Sequence, residues 1–207
     1  MKIRPLAVPG SFLLEPQLLG DHRGHFYESF KGSAFTAAVG RPFHIAQTNF
    51  SVSRRGVVRG LHTTHVPPGQ AKIVMCHRGA LQDIVVDVRW GSPTFGQYQV
   101  TVLEAASGAA VYIAEGLAHG FAALTDDTCI GYLCSSEYAP DHQLGLNPFD
   151  PELALPWDVP DGTPVVSEKD RAAPSLRELQ AAGLLPHYTD CLRFHGREAG
   201  RQEEARP

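Results

Sequence analysis

The chain has 207 residues, 43% of them apolar, with 18 Lys and Arg against 22 Asp and Glu and a net charge of −4 at pH 7. That length suits one sizeable core and is short for two. The acidic balance gives no general field for nucleic acid, so an anionic ligand must be met by local positive groups. No run of about 18 apolar residues is present to span a membrane, and the opening MKIRPLAVPG lacks the apolar centre of a signal peptide, so a cytoplasmic protein is expected. The 20 Gly and 16 Pro point to many turns and short strands rather than long helices. Cys76, Cys129, Cys134 and Cys191 form neither CxxC nor a zinc spacing and read as small buried hydrophobes in a reducing compartment.

Residues 1–20, with Pro5, Pro9 and Pro16, suit an edge strand and a loop. DHRGHFYESF (21–30) reads as a turn around Arg23, then a strand with Phe26, Glu28 and Phe30 on one face. KGSAFTAAVG (31–40) is a short helix ending at Gly40. HIAQTNFSVS (44–53) is a strand that puts Gln47 and Asn49 on the same side.

The central stretch 56–79, GVVRGLHTTHVPPGQAKIVMCHRG, carries Arg59, His62 and Lys72 within fourteen positions. An arginine, a base and a lysine so close, flanked by β-rich sequence, suggest the wall of a pocket for an anion. VVRGLHTT is a strand bent at Gly60. QAKIVMCH and ALQDIVVDVR are strands expected to meet in a tight hairpin at Arg78-Gly79, placing Lys72 diagonal to Asp83. Such a pair is either structural or aims an ammonium into a cavity.

QYQVTVLEA (97–105), VYIAEGLAHGFAAL (111–124) with His119, and CIGYLCSSEY (129–138) with Tyr132 and Tyr138 are further strands. Their roughly ten-residue spacing with Gly, Pro and Asp turns indicates an all-β barrel or sandwich. Residues 139–168 are irregular. A helical stretch, APSLRELQAAGLL (173–185), follows Lys169 and Asp170. One domain is expected over 1–190, with a flexible tail over 191–207.

His62, Lys72, His119, Tyr132 and Asp170, with Arg23 and Arg59, form a useful constellation. A carboxylate such as Asp170 fixes an imidazole's tautomer, an ammonium steadies an oxyanion, and a phenol beside cations titrates nearer neutrality and can deliver a proton. Base, oxyanion stabiliser and acid fit proton removal next to a carbonyl followed by reprotonation. Spacing alone does not bring these residues together.

RGVVRGLH (55–62), GQAKIV (69–74), GSPTFG (91–96), EGLAHGF (115–121), SEYAP (136–140) and SEKD (167–170) together resemble the dTDP-4-dehydrorhamnose 3,5-epimerase family, in family order over about residues 20–170. The resemblance implies a cupin-type jelly roll with short peripheral helices and a homodimer with strand exchange. It implies inversion of the carbons flanking the ketone of a dTDP-4-keto-6-deoxyhexose, with neither cofactor nor metal. By position it implies His62 as base oriented by Asp170, Tyr132 as the opposing acid, and Lys72 at the ketone oxygen. Arg59 and His119 would hold the diphosphate and sugar, Gln47 and Asn49 would line the nucleotide side, and Tyr138 would stack on thymine. Arg23, Phe26 and Glu28 would reach in from the neighbouring subunit, and Lys169 matches a binding position.

Thr63, Ala114 and Gln143 depart from residues common in the family, where tyrosine, proline and glutamate stand, and leave open whether one carbon or two is inverted. The THVPPGQAK loop is similar to the branch that makes antibiotic deoxysugars. A metal-dependent cupin oxygenase is disfavoured because Thr64 and the cationic Lys72 occupy places where metal ligands are needed. A non-catalytic sugar-nucleotide-binding module would not need His62, Asp170 and Tyr132 together. A ketoisomerase would move the ketone rather than invert a centre.

Overall fold

The computed structural model describes residues 1–203, side chains at 161 and from 197 onward excepted. Strands β1 (Lys2–Pro5) and β2 (Ser11–Glu15) begin a six-stranded antiparallel sheet. The hairpin β3 (Leu19–Asp21) and β4 (Gly24–Phe26) stands apart from it. Helix α1 (Gly32–Val39) stops at Gly40, whose φ of +85° is the left-handed conformation that ends a helix at lowest cost in glycine.

The chain then alternates between two sheets. β5 (Gln47–Ser53), β7 (Lys72–Arg78), β10 (Ala110–Ile113) and β12 (Thr128–Cys134) join the first, in the order β1-β2-β10-β7-β12-β5. β6 (Val58–Thr64), β8 (Ala80–Asp87), β9 (Tyr98–Glu104), β11 (Leu117–Ala123) and β13 (Gln143–Gly145) form the second, in the order β13-β6-β11-β8-β9. The two sheets close over Val74, Cys76 and Ile130 from one side and Leu81, Val85 and Phe121 from the other. Strand side chains alternate, so every second residue of each strand enters this core. This is the cupin-type jelly roll, all-β with small peripheral helices.

A second apolar layer covers the outer face of the five-stranded sheet. Leu144, Leu146, Leu153, Leu176 and Leu179 pack there on Leu61, Ile84, Val86 and Ala118. It anchors the one-turn helix α2 (Glu168–Arg171) and helix α3 (Leu176–Ala181), both capped by serines. Helix α4 (Tyr188–Glu203) completes the described chain.

Four sequence expectations are corrected. β7 and β8 do not pair: Gly79, at φ +78°, turns the chain from one sheet into the other. The hairpin motif resembles this corner locally, but the partners of β7 are β10 and β12. β4 ends at Phe26, leaving Glu28 and Phe30 outside any strand. The helix expected over 173–185 is shorter, because Gly183 is in the left-handed region. The expected tail from 191 is helical to Glu203, since Cys191 is fully buried and His195 is hydrogen-bonded to Glu115; residues 204–207 lie outside the described residues.

Candidate active site

At one end of the sandwich the core gives way to a cavity of about 350 Å³, the size of a small-molecule site. It opens where Lys72 begins β7 and Cys134, its register partner, ends β12. Asn49, Arg59, His62, Lys72, His119, Tyr132, Tyr138, Gln143 and Lys169 all line it.

Arg59 and His62 are three apart, an offset that sends side chains of a regular strand to opposite faces. A register shift in β6 reconciles them: His119 pairs with His62, but Phe121 pairs with Arg59. The extra residue falls next to Gly60, at φ +115°, where a Cβ would lie 2.7 Å from both Gly120 Cα and the His119 carbonyl oxygen. Only glycine fits this bulge. Arg59 is held there by donation from Nε to Ser53 Oγ, 3.1 Å.

His62 Nε2 lies 2.8 Å from Asp170 Oδ1. α2 presents this carboxylate, with the Asp170 N–H donating to Ser167 Oγ at the helix cap. Burial pushes the Asp170 carboxyl up, but the hydrogen bond and charge of His62, with Ser167 and the Gly60 N–H, bring it below the usual range. With Nε2–H donating to Asp170, the other imidazole nitrogen is left as a base.

Beside His62, His119 Nε2 lies 2.6 Å from Asp83 Oδ2 in full burial. Asp83 therefore serves His119, not Lys72 as the sequence suggested. β11 pairs His119 with Val85, so Asp83 is its diagonal neighbour across β8. Among the described residues Lys72 has no carboxylate partner. Burial lowers its pKa, and the nearby Cys134 thiol offsets this only in part.

Tyr132 faces the two histidines from the other sheet, its ring 6.2 Å from that of His119 and edge-on. The expectation that cations would bring its phenol toward neutrality is overturned. Burial pushes it up to about 12; the charge of Asp83 adds to this, and Arg59 counters too weakly. The phenol is thus held protonated, the form a proton donor needs.

Five expected site residues do not line this cavity: Asp170, which stands behind His62, and Gln47, Arg23, Phe26 and Glu28. Gln47 supports it, with its Nε2 donating to Asn49 Oδ1 and its Oε1 accepting from the Tyr138 N–H, both within 2.8 Å. Arg23 pairs with Asp21 on the β3–β4 hairpin, beside a Phe26 that is 67% exposed. Glu28 makes an exposed ion pair with Lys31, 3.6 Å. Sequence reasoning missed Gln70, Ser51, Phe121, Leu144 and Cys134 as lining residues. The alternation of β12 was the available signal for Cys134, which shares a face with Tyr132.

A histidine held by a carboxylate, a protonated phenol on the facing sheet and a buried lysine meet in one cavity of a cupin-type jelly roll, an arrangement of the kind enzymes use for proton transfer. A family profile described as dTDP-4-dehydrorhamnose 3,5-epimerase matches residues 5–178. A Streptomyces niveus protein named dTDP-4-dehydrorhamnose 3-epimerase is 48% identical over 191 residues, 92% of this chain and 91% of that protein. A Mycolicibacterium smegmatis dTDP-4-dehydrorhamnose 3,5-epimerase is 46% identical over 195 residues, 94% and 95% of the two chains. The crystal structure of a 3′-monoepimerase from Streptomyces bikiniensis in complex with dTDP-quinovose superposes with a TM-score of 0.90 at 44% identity, covering 94% of this chain and 98% of that one. The chain belongs to the dTDP-4-dehydrorhamnose 3,5-epimerase family and is an isomerase.

Proposed function

We propose that this chain inverts C3 and C5 of dTDP-4-keto-6-deoxyglucose in deoxysugar biosynthesis, using its own side chains as acid and base. The observation that carries this reading is that the Asp170-backed His62 and the protonated Tyr132 come from facing sheets into one cavity. His62 takes the proton from the carbon next to the ketone. Lys72 stabilises the enolate oxygen, an interaction of the kind that lowers a barrier by about 3–4 kcal/mol. Tyr132 returns a proton from the opposite side, which inverts the centre.

Arg59 and His119 hold the diphosphate and sugar, with Gln143 on their sheet, Lys169 on α2 and Asn49 on the facing sheet. Tyr138, 58% exposed at the mouth, offers a ring face to thymine. Arg23, Phe26 and Glu28 act from a second subunit in a strand-exchanged homodimer. Their exposure, on and just after a hairpin separate from the cavity, supports that reading. The site of action in this reading is the cytoplasm. Among the described residues no helix is long and apolar enough to cross a membrane.

The test is incubation with the substrate in deuterated water, read by NMR. Deuterium at both C3 and C5 supports double inversion, and absence of exchange at either carbon refutes the proposal. A second reading, inversion at C3 alone, is favoured by the names of the Streptomyces niveus and Streptomyces bikiniensis proteins. One deuterium, at C3, would establish it.

A further inference from the structure

Glu115 stands in the EGLAHGF motif, yet it does not line the cavity. Its side chain is 3% exposed and lies in a buried ionic cluster. Arg41 grips it with two guanidinium nitrogens, Nη1 donating to Oε1 at 3.1 Å and Nη2 to Oε2, while Nη2 also meets the Tyr112 hydroxyl. From α4, His195 Nε2 sits 2.9 Å from Oε2. The carboxyl is held down at about 2: burial raises it, but His195 and then Arg41 outweigh that.

The stem of Glu115 supports the loop that leads into the cavity. A Cβ on Gly69 would stand 2.8 Å from Glu115 Cγ and 2.9 Å from its Cβ, so the loop backbone rests on this side chain at a distance that glycine alone permits. The Gly69 carbonyl accepts from Ser136 Oγ at 3.0 Å, and Gln70 Nε2 donates to the Ser136 carbonyl at 2.8 Å. Gln70 and Tyr138, on either side of this link, both line the cavity. Arg41, on the far side, begins the segment that runs to β5 and its Asn49.

We propose that Glu115 is a positioning residue for the substrate cleft. Clamped by Arg41 and His195, it sets the 65–70 loop and, through Ser136, the rim formed by Gln70 and Tyr138. The inference rests on the reading of the cavity as a dTDP-sugar site. It assigns Glu115 to binding rather than proton transfer, because it touches neither His62 nor Tyr132. An interaction felt equally in ground and transition states alters KM and leaves kcat in place.

The test compares wild type, Glu115→Gln, Glu115→Ala and His195→Ala for turnover of dTDP-4-keto-6-deoxyglucose and for binding of dTDP alone. Expected are rises in KM and in the dTDP Kd of about threefold for His195→Ala and Glu115→Gln and about tenfold or more for Glu115→Ala, with kcat within about twofold. A purely structural Glu115 lowers the melting temperature without moving KM, and that result in a folded variant overturns the inference. A fall in kcat at unchanged KM overturns it equally. If the Glu115 variants do not fold, His195→Ala decides, since it leaves the Arg41–Glu115 pair in place. A wild type that binds no dTDP refutes the functional reading; a wild type that binds it as well as its variants do refutes only this inference.

Discussion

His62 and His119 are register partners across β6 and β11, and each is hydrogen-bonded to its own carboxylate, Asp170 at 2.8 Å and Asp83 at 2.6 Å. The two pairs differ in burial. His119 and Asp83 are sealed at 5% and 1% side-chain exposure, whereas His62 keeps 41% against 10% for Asp170. A histidine that must take and release a proton needs access, and one that holds a ligand needs rigidity. The difference in access is what the proposed roles require, His62 as the base and His119 as a ligand-holding group.

Replacing Asp170 by Asn removes the charge that stabilises a protonated His62 while leaving its size. The exchange rate at the substrate carbons should fall about 10²- to 10³-fold, in the range of general acid–base effects. Asp83→Ala, by contrast, strips His119 of its carboxylate and leaves a buried N–H unpaired, costing about 1–3 kcal/mol. Thermal melts should separate the two: Asp83→Ala lowers the melting temperature, and Asp170→Asn changes it little.

The buried lysine and the facing phenol predict the shape of the alkaline limb. Tyr132, pushed up to about 12 by burial, stays protonated through the working range. Lys72, lowered by burial, loses its proton first. The limb should therefore follow Lys72. In Lys72→Arg, whose guanidinium keeps its charge, any residual kcat should lose this limb. A limb unchanged in Lys72→Arg would assign it to another group.

Much of this site is legible in the sequence, because its residues lie in short motifs whose types declare their chemistry. Arg59, His62, Lys72 and Tyr132 are such cases, and alternation places Gln47 beside Asn49. What stays hidden depends on pairing between distant strands. Asp83 reads as a partner of Lys72 because β7 and β8 adjoin in sequence, whereas β8 pairs with β9 and β11. The direction of the Tyr132 shift is hidden because cations are visible in a sequence and burial at the end of a sandwich is not. Arg23 and Phe26 stand on the separate β3–β4 hairpin and Glu28 just beyond it, and no pattern in the sequence says what these exposed side chains meet.

The bulge that turns both Arg59 and His62 inward predicts a strong effect from one methyl group. Gly60→Ala meets backbone atoms on both Gly120 and His119 at 2.7 Å, in a left-handed conformation. Neither neighbour is a flexible side-chain tip. The substitution should cost about 2–4 kcal/mol. It should also lower activity in the fraction that folds, since the Gly60 N–H serves Asp170. Denaturant melts paired with active-site titration would separate the two effects.

The Glu115 cluster makes a prediction about acid stability. The carboxyl moves from 4.5 to about 2 on folding, so its folded-state pKa is depressed. Such a group contributes stability that is complete above its unfolded value and disappears as pH falls through the folded one. The window lies between about pH 4.5 and 2, and the contribution is about 3 kcal/mol at neutral pH. Glu115→Gln cannot titrate there. Its stability, followed by urea melts from pH 6 down to the acid limit, should start lower than wild type and fall less steeply. Equal slopes in that window would mean that the clamp by Arg41 and His195 does not bind the carboxylate form preferentially.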